Sequence, residues 1–140
     1  VVVETGVLHG LTTSWILKGL SDNNFGKLIS IDLPRCDWTK YFPETPIEPI
    51  LEPEWELGKE EPGWIIPDEF RNRWELLLGP SSHYLESVFA ENEVDLFIHD
   101  SDHSYDVMKY ECLESFLMNP RAIVVIDDFN WNSFLLIIFK

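Results

Sequence analysis

Cysteine and positive charge are both scarce in this chain. Its two cysteines, Cys36 and Cys112, lie far apart and in no C-x-x-C pair, which argues against a disulfide framework and a thiolate zinc site. Ten Lys and Arg face 25 Asp and Glu, a formal net charge of −15. Such a field repels polyphosphate and lacks the basic stripe of a nucleic-acid binder, so DNA and RNA are disfavoured as substrates. No apolar run approaches the roughly 20 residues that cross a bilayer, and no basic segment precedes a short apolar stretch. A cytoplasmic protein without a membrane partner is the expectation. There is no initiator Met: the chain opens on Val1-Val2-Val3 and closes on the apolar run Phe134-Leu135-Leu136-Ile137-Ile138-Phe139. Both ends read as interior segments of something longer.

What is present suits one α/β domain, since 140 residues at 45% apolar content can enclose one sizeable core and not two. Val1 to Glu4 is a β-branched run ended by Thr5-Gly6, and Thr12-Thr13-Ser14 offers N-caps for a helix with Trp15, Ile16 and Leu20 on one face. Lys27 to Asp32 reads as a second strand, broken by Leu33-Pro34. Residues 34 to about 66 have no sustained period; seven Glu between Glu44 and Glu61 alternate with Pro and Trp, as in a solvated loop or lid insertion. Pro67 can start a short helix, Trp74 to Leu78 is a third strand, and Gly79-Pro80-Ser81 turns into a helix carrying Tyr84, Leu85, Val88 and Phe89. Val94 to Ile98 is a fourth strand. Ser104 caps a helix striped by Tyr105, Met108, Cys112 and Phe116, and Arg121 to Ile126 is a fifth strand.

Apolar strands alternating with helices predict a Rossmann-like, mostly parallel sheet with helices on both faces, because a parallel neighbour is reached only by a crossover. Ligands of such sheets sit beyond the carboxyl ends of the strands. Here those ends are Glu4-Thr5-Gly6, Asp32, Gly79-Pro80-Ser81, Asp100-Ser101-Asp102 and Asp127-Asp128. Glycine after the first strand lets a backbone approach a ligand closely. Asp32, 26 residues past Gly6, can accept hydrogen bonds from both ribose hydroxyls of an adenosine cofactor. A nicotinamide cofactor would fit that pair as well.

The run Glu4-Thr5-Gly6-Val7-Leu8-His9-Gly10 resembles the E-x-G-x-x-x-G first motif of class I S-adenosylmethionine (SAM)-dependent methyltransferases. It is a poorer match to the dinucleotide fingerprint, because Leu8 stands where a second glycine would approach the pyrophosphate. The resemblance implies that Glu4, Gly6 and Gly10 line the amino-acid part of SAM. It implies further that Asp32 binds the ribose and that Gly79 and Ser81 lie near the adenine, with Asp100 as another cofactor contact.

Asp100-Ser101-Asp102-His103-Ser104-Tyr105 and Ile126-Asp127-Asp128 follow strands expected to be neighbours. Several carboxylates at one rim repel unless a cation, solvent or protonation relieves them, although Asp is also a common cap and turn former. All-oxygen ligation selects Mg²⁺ or another hard divalent cation, while His99 and His103 leave a softer metal open. The pattern is similar to metal-dependent small-molecule O-methyltransferases of the macrocin and cephalosporin-hydroxylase-like group. That resemblance implies Asp100, Asp127 and Asp128 as metal ligands, with Asp102 as general base and His103 as its rival. His9 and His83 read as surface or packing residues.

The implied chemistry is metal-assisted O-methylation of a small hydroxylated molecule, a sugar or polyhydroxylated metabolite suiting chelation best. Two alternatives stay open: a nicotinamide-dependent oxidoreductase on the same scaffold, and a noncatalytic, truncated methyltransferase-like domain. The family's sheet ordinarily finishes with two further strands, which nothing after Asn132 supplies. The expectation is therefore one incomplete SAM-binding domain over 1–140, truncated after its fifth strand; self-association into a homo-oligomer stays open.

Overall fold

The computed structural model describes residues 1–34 and 61–130. Its elements follow in the order β1 (Val2–Thr5), α1 (Leu11–Asp22), β2 (Leu28–Asp32), a 3-10 helix (Asp68–Arg73), β3 (Trp74–Leu78), a 3-10 turn (Ser81–His83), α2 (Leu85–Glu91), β4 (Leu96–His99), α3 (Tyr105–Met118) and β5 (Ile123–Ile126). The five strands form one sheet in the order β3-β2-β1-β4-β5, and every pairing is parallel. The Rossmann-like α/β fold read from the sequence is thus observed. Chain order reverses between β1 and β4, the kind of crevice where open sheets of this class take ligands.

Alternation along the strands divides the core between two faces. Val3, Ile29, Ile31 and Phe97 join Leu85, Val88, Phe89 and Val94 in one buried cluster, in which the Phe89 and Phe97 rings meet edge to face at 5.8 Å. Residues one step out of phase turn the other way: Leu28 packs with Leu17 of α1 and with Ile66. Each such side chain contributes roughly 1.5–3 kcal/mol when fully buried. Because Val3 pairs with both Ile29 and Phe97, a slip of one residue would exchange core and opposite face throughout.

The structure departs from the sequence reading at four places. Gly10, and none of Thr12, Thr13 and Ser14, caps α1; it is left-handed at φ 96° and its carbonyl accepts from the Ser14 amide. Trp15 is 72% exposed, because Leu17 and Thr13 form the buried line of α1, with Ile16 and Leu20 at its edge. On α3, Tyr105 and Phe116 lie outward, and the buried line is Met108, Glu111, Cys112 and Ser115. β5 is a continuous apolar run in the sequence, yet Ile123 and Val125 are exposed, since β5 is the edge of the described sheet. Cys36, most of the 34–66 insertion and the closing apolar run fall outside the described residues. No helix among the described residues is long and apolar enough to cross a membrane.

Candidate functional site

The loop after β1 is held by an acid. The amides of Val7 and Leu8 donate to Asp32 Oδ2 at 2.9 and 2.8 Å, while the Leu33 amide donates to Oδ1. Amides at such a turn are the groups a dinucleotide site offers to phosphate. Here they face a carboxylate, and a second anion would be repelled. Gly6 is left-handed at φ 84°, and its amide donates to the Ile31 carbonyl.

The two loop glycines serve different neighbours. Gly6 makes room for the Asp100 backbone, whereas a Cβ on Gly10 would lie 2.7 Å from Ile66 Cγ1 and 2.8 Å from Gly63 Cα. Residues 63–66 also bond to the loop, with the Gly63 amide donating to the Leu8 carbonyl and the Ile65 amide to the His9 carbonyl. His9 meets the ring of Trp64 edge-on at 6.2 Å. The space that a Gly10 Cβ would occupy is thus taken by the chain's own 63–66 segment. Gly79 is similarly crowded, a Cβ there reaching to 2.9 Å from the Tyr84 ring, and its amide donates to the Asp32 carbonyl. Ser81 begins the 3-10 turn and is half-buried.

Glu4 is fully buried beneath the loop. Its Oε2 accepts from the hydroxyls of Thr13 at 2.9 Å and Ser30 at 2.8 Å, and the Trp74 indole N–H donates to that same Ser30 hydroxyl. Oε1 is buried without a hydrogen-bond partner among the described residues. Burial pushes the Glu4 carboxyl up to about 7 against the pull of the two hydroxyls, with the charges of Asp100 and Asp32 adding to the rise.

The acidic rim forms because β4 and β5 are parallel neighbours in which His99 pairs with Ile126, so that the next residues, Asp100 and Asp127, emerge side by side. Asp100, His103 and Asp127 each bring a ligand atom within 4.8 Å of the other two, a group able to hold a metal ion. Asp128, left-handed at φ 46° and exposed, lies outside this group, and His103 takes the third position. Asp100 is pushed up to about 6, chiefly by burial, then by the charge of Asp127 and a hydrogen bond shared with it. His99 pulls it down and Asp128 raises it further. Asp102 is turned to the helix start: Oδ1 accepts from the Ser104 amide and Oδ2 from the Ser104 hydroxyl, both at 2.9 Å. Ser104 is the N-cap of α3, as expected, and although its side chain makes no capping bond of its own, Asp102 two residues earlier holds it in place.

Sequence reasoning missed what lies under this rim. Glu111 of α3 is fully buried, and its Oε2 meets the Thr5 hydroxyl and His99 Nδ1, each at 2.6 Å. The Ser101 hydroxyl donates to the same carboxylate at 2.9 and 3.0 Å. His99 is fully buried as well; its Nε2 has no hydrogen-bond partner among the described residues, and its ring stands edge-on to His103 at 5.4 Å. A signal was present: Glu111 follows Met108 by three residues, on the line that α3 buries, where an unpaired charge is costly.

Residues 3–129 match a protein family described as Methyltransferase domain. No curated protein and no solved structure shows a match to the chain.

Proposed function

The chain belongs to this methyltransferase-domain family, and from that premise we propose that it moves the methyl group of SAM onto a hydroxyl oxygen of a small polyhydroxylated molecule, assisted by a divalent cation. The observation that carries the reading is the grouping of Asp100, His103 and Asp127 at the rim that also bears the glycine loop and Asp32. Family membership implies SAM as the methyl source. The loop suits a cofactor without pyrophosphate, because Asp32 already holds the Val7 and Leu8 amides. Nothing at the rim favours a nicotinamide cofactor over it.

The residues present fit a small cation. Two carboxylates and one imidazole form a donor set for Mg²⁺ or, with the nitrogen included, Mn²⁺, and the Asp100 carboxyl, raised by burial and then by the charge of Asp127, is one whose ionised form a positive charge would favour. A bound cation supplies the Lewis acidity that lowers the pKa of an acceptor hydroxyl. Asp100, His103 and Asp127 would hold the cation and through it orient the acceptor oxygen; SAM, when bound, would supply the methyl group and leave as S-adenosylhomocysteine, and Asp102 would take the acceptor proton as base. If Asp128 replaced His103 among the ligands, His103 would be the base instead.

Melting temperatures recorded with SAM, with NAD and with SAM plus Mg²⁺ test the reading, followed by mass spectrometry of sugar and polyol acceptors incubated with SAM and Mg²⁺. Stabilisation by SAM and methyl ethers formed only when the cation is supplied are the expected results. Stabilisation by NAD alone would move the assignment to hydride transfer.

A further inference from the structure

We propose that Glu111 is a positioning residue that sets the 100–103 loop for cation binding, acting from below through Ser101, His99 and Thr5. The inference rests on the reading of Asp100, His103 and Asp127 as cation ligands. Ser101 stands between Asp100 and Asp102, and its hydroxyl is tied to both oxygens of Glu111. His99 immediately precedes Asp100, and its Nδ1 lies 2.6 Å from Glu111 Oε2, while its ring abuts His103. Thr5 ends β1 just before Gly6, and donates to the same oxygen at 2.6 Å. One buried carboxylate thus gathers the ends of β1 and β4 and the loop between β4 and α3. Each tie ends on a group within one residue of Gly6, Asp100 or Asp102.

Stability alone does not account for this arrangement. A buried ion or carboxylate network is commonly matched or exceeded in stability by apolar packing of the same volume, and the neighbours of Glu111 on its helix face, Met108 and Cys112, are apolar already. What the carboxylate provides is direction. Three groups meet it, and through His99 and Ser101 it holds the backbone on either side of Asp100. Outer partners of this kind orient ligands and tune affinity, their loss weakening metal binding by about 10–100-fold.

Titration of the whole chain with Mn²⁺, followed by electron paramagnetic resonance at a temperature well below melting, tests this. Glu111→Gln should weaken Mn²⁺ binding by roughly tenfold or more, with SAM affinity held within about twofold. Ser101→Ala removes a single tie and should weaken Mn²⁺ binding in the same direction, so the question stays open to test even if Glu111→Gln does not fold. Ser115→Ala, on the same buried face of α3 and with its hydroxyl donating to the Cys112 carbonyl, controls for general loosening of the helix and should leave Mn²⁺ affinity unchanged. Mn²⁺ affinity equal to wild type in Glu111→Gln and Ser101→Ala, with only the melting temperature lowered, overturns the positioning role while leaving the cation site standing. Absence of Mn²⁺ binding by the wild-type chain overturns the cation site and the proposal together.

Discussion

The Cβ that Gly6 lacks would stand 1.9 Å from the carbonyl oxygen of Asp100. The turn after β1 and the acidic loop after β4 are therefore in backbone contact, and the Asp100 amide also donates to the Thr5 carbonyl. Gly6→Ala meets two penalties at once, a left-handed φ of 84° and an overlap with main chain that has no rotamer to yield. A loss of about 2–5 kcal/mol is expected. Urea unfolding measures it, and an unchanged midpoint would show that the two loops separate more freely than their contact implies.

The shared rim also couples protons to cations. Asp100 is raised to about 6 by burial and by Asp127, and ligation requires the ionised form. Mn²⁺ or Mg²⁺ affinity should hold above pH 6 and fall by up to about tenfold per pH unit below it. Asp127→Ala removes a proposed ligand and the main opposing charge, so cation-dependent methyl transfer should be abolished while SAM affinity stays within a few-fold. Calorimetric titration at pH 5, 6 and 7.5 checks the first outcome. Unchanged activity in Asp127→Ala would remove the cation from the mechanism.

Glu4 gives a pH dependence of the fold itself. Its carboxyl ionises near 4.5 in the unfolded chain but near 7 when buried, so between those values the folded state holds more protons than the unfolded one. The contribution is fully present below pH 4.5 and is lost as pH rises through about 7, on the order of 3 kcal/mol across the window. Glu4→Gln cannot ionise. Its stability relative to wild type should rise between pH 4.5 and 7, whatever constant penalty its amide adds next to the unpartnered Oε1 position. Urea midpoints for both proteins at pH 5 and pH 8 give the difference; equal spacing at the two values would mean that Glu4 stays ionised throughout.

Strand positions were legible in the sequence because Trp74 to Leu78 and the runs near Val3, Ile29, Phe97 and Val124 are apolar whichever face they meet. Parallel pairing followed from the helices between them, and with it the adjacency of Asp100 and Asp127. Helix faces were less legible. Trp15 satisfies a helical stripe as well as Leu17 does, and only the positions of Leu28 and Ile66 decide between them. Glycine neighbours were less legible too: Gly10 allows a close approach, and the group that approaches it is Gly63, more than 50 residues away. Glu111 was hidden because three partners on two other segments, Thr5, His99 and Ser101, make its burial tolerable, and no local pattern joins them.

Asp102 and His103 remain to be told apart by their neighbours. Both Asp102 oxygens are engaged by Ser104, so part of its role is to start α3, and Asp102→Ala should cost about 1 kcal/mol, lowering the melting temperature by a few degrees. His103 sits with Asp100 and Asp127 instead. As a ligand, its replacement in His103→Ala should weaken Mn²⁺ binding by at least the roughly tenfold lost with an outer partner, whereas Asp102→Ala should leave Mn²⁺ affinity nearly intact and lower the rate of methyl transfer. The opposite pattern, with full Mn²⁺ affinity and lost turnover in His103→Ala, would make the imidazole the base and pass the third ligand position to Asp128. The two assignments therefore separate on metal affinity alone, before any acceptor is known.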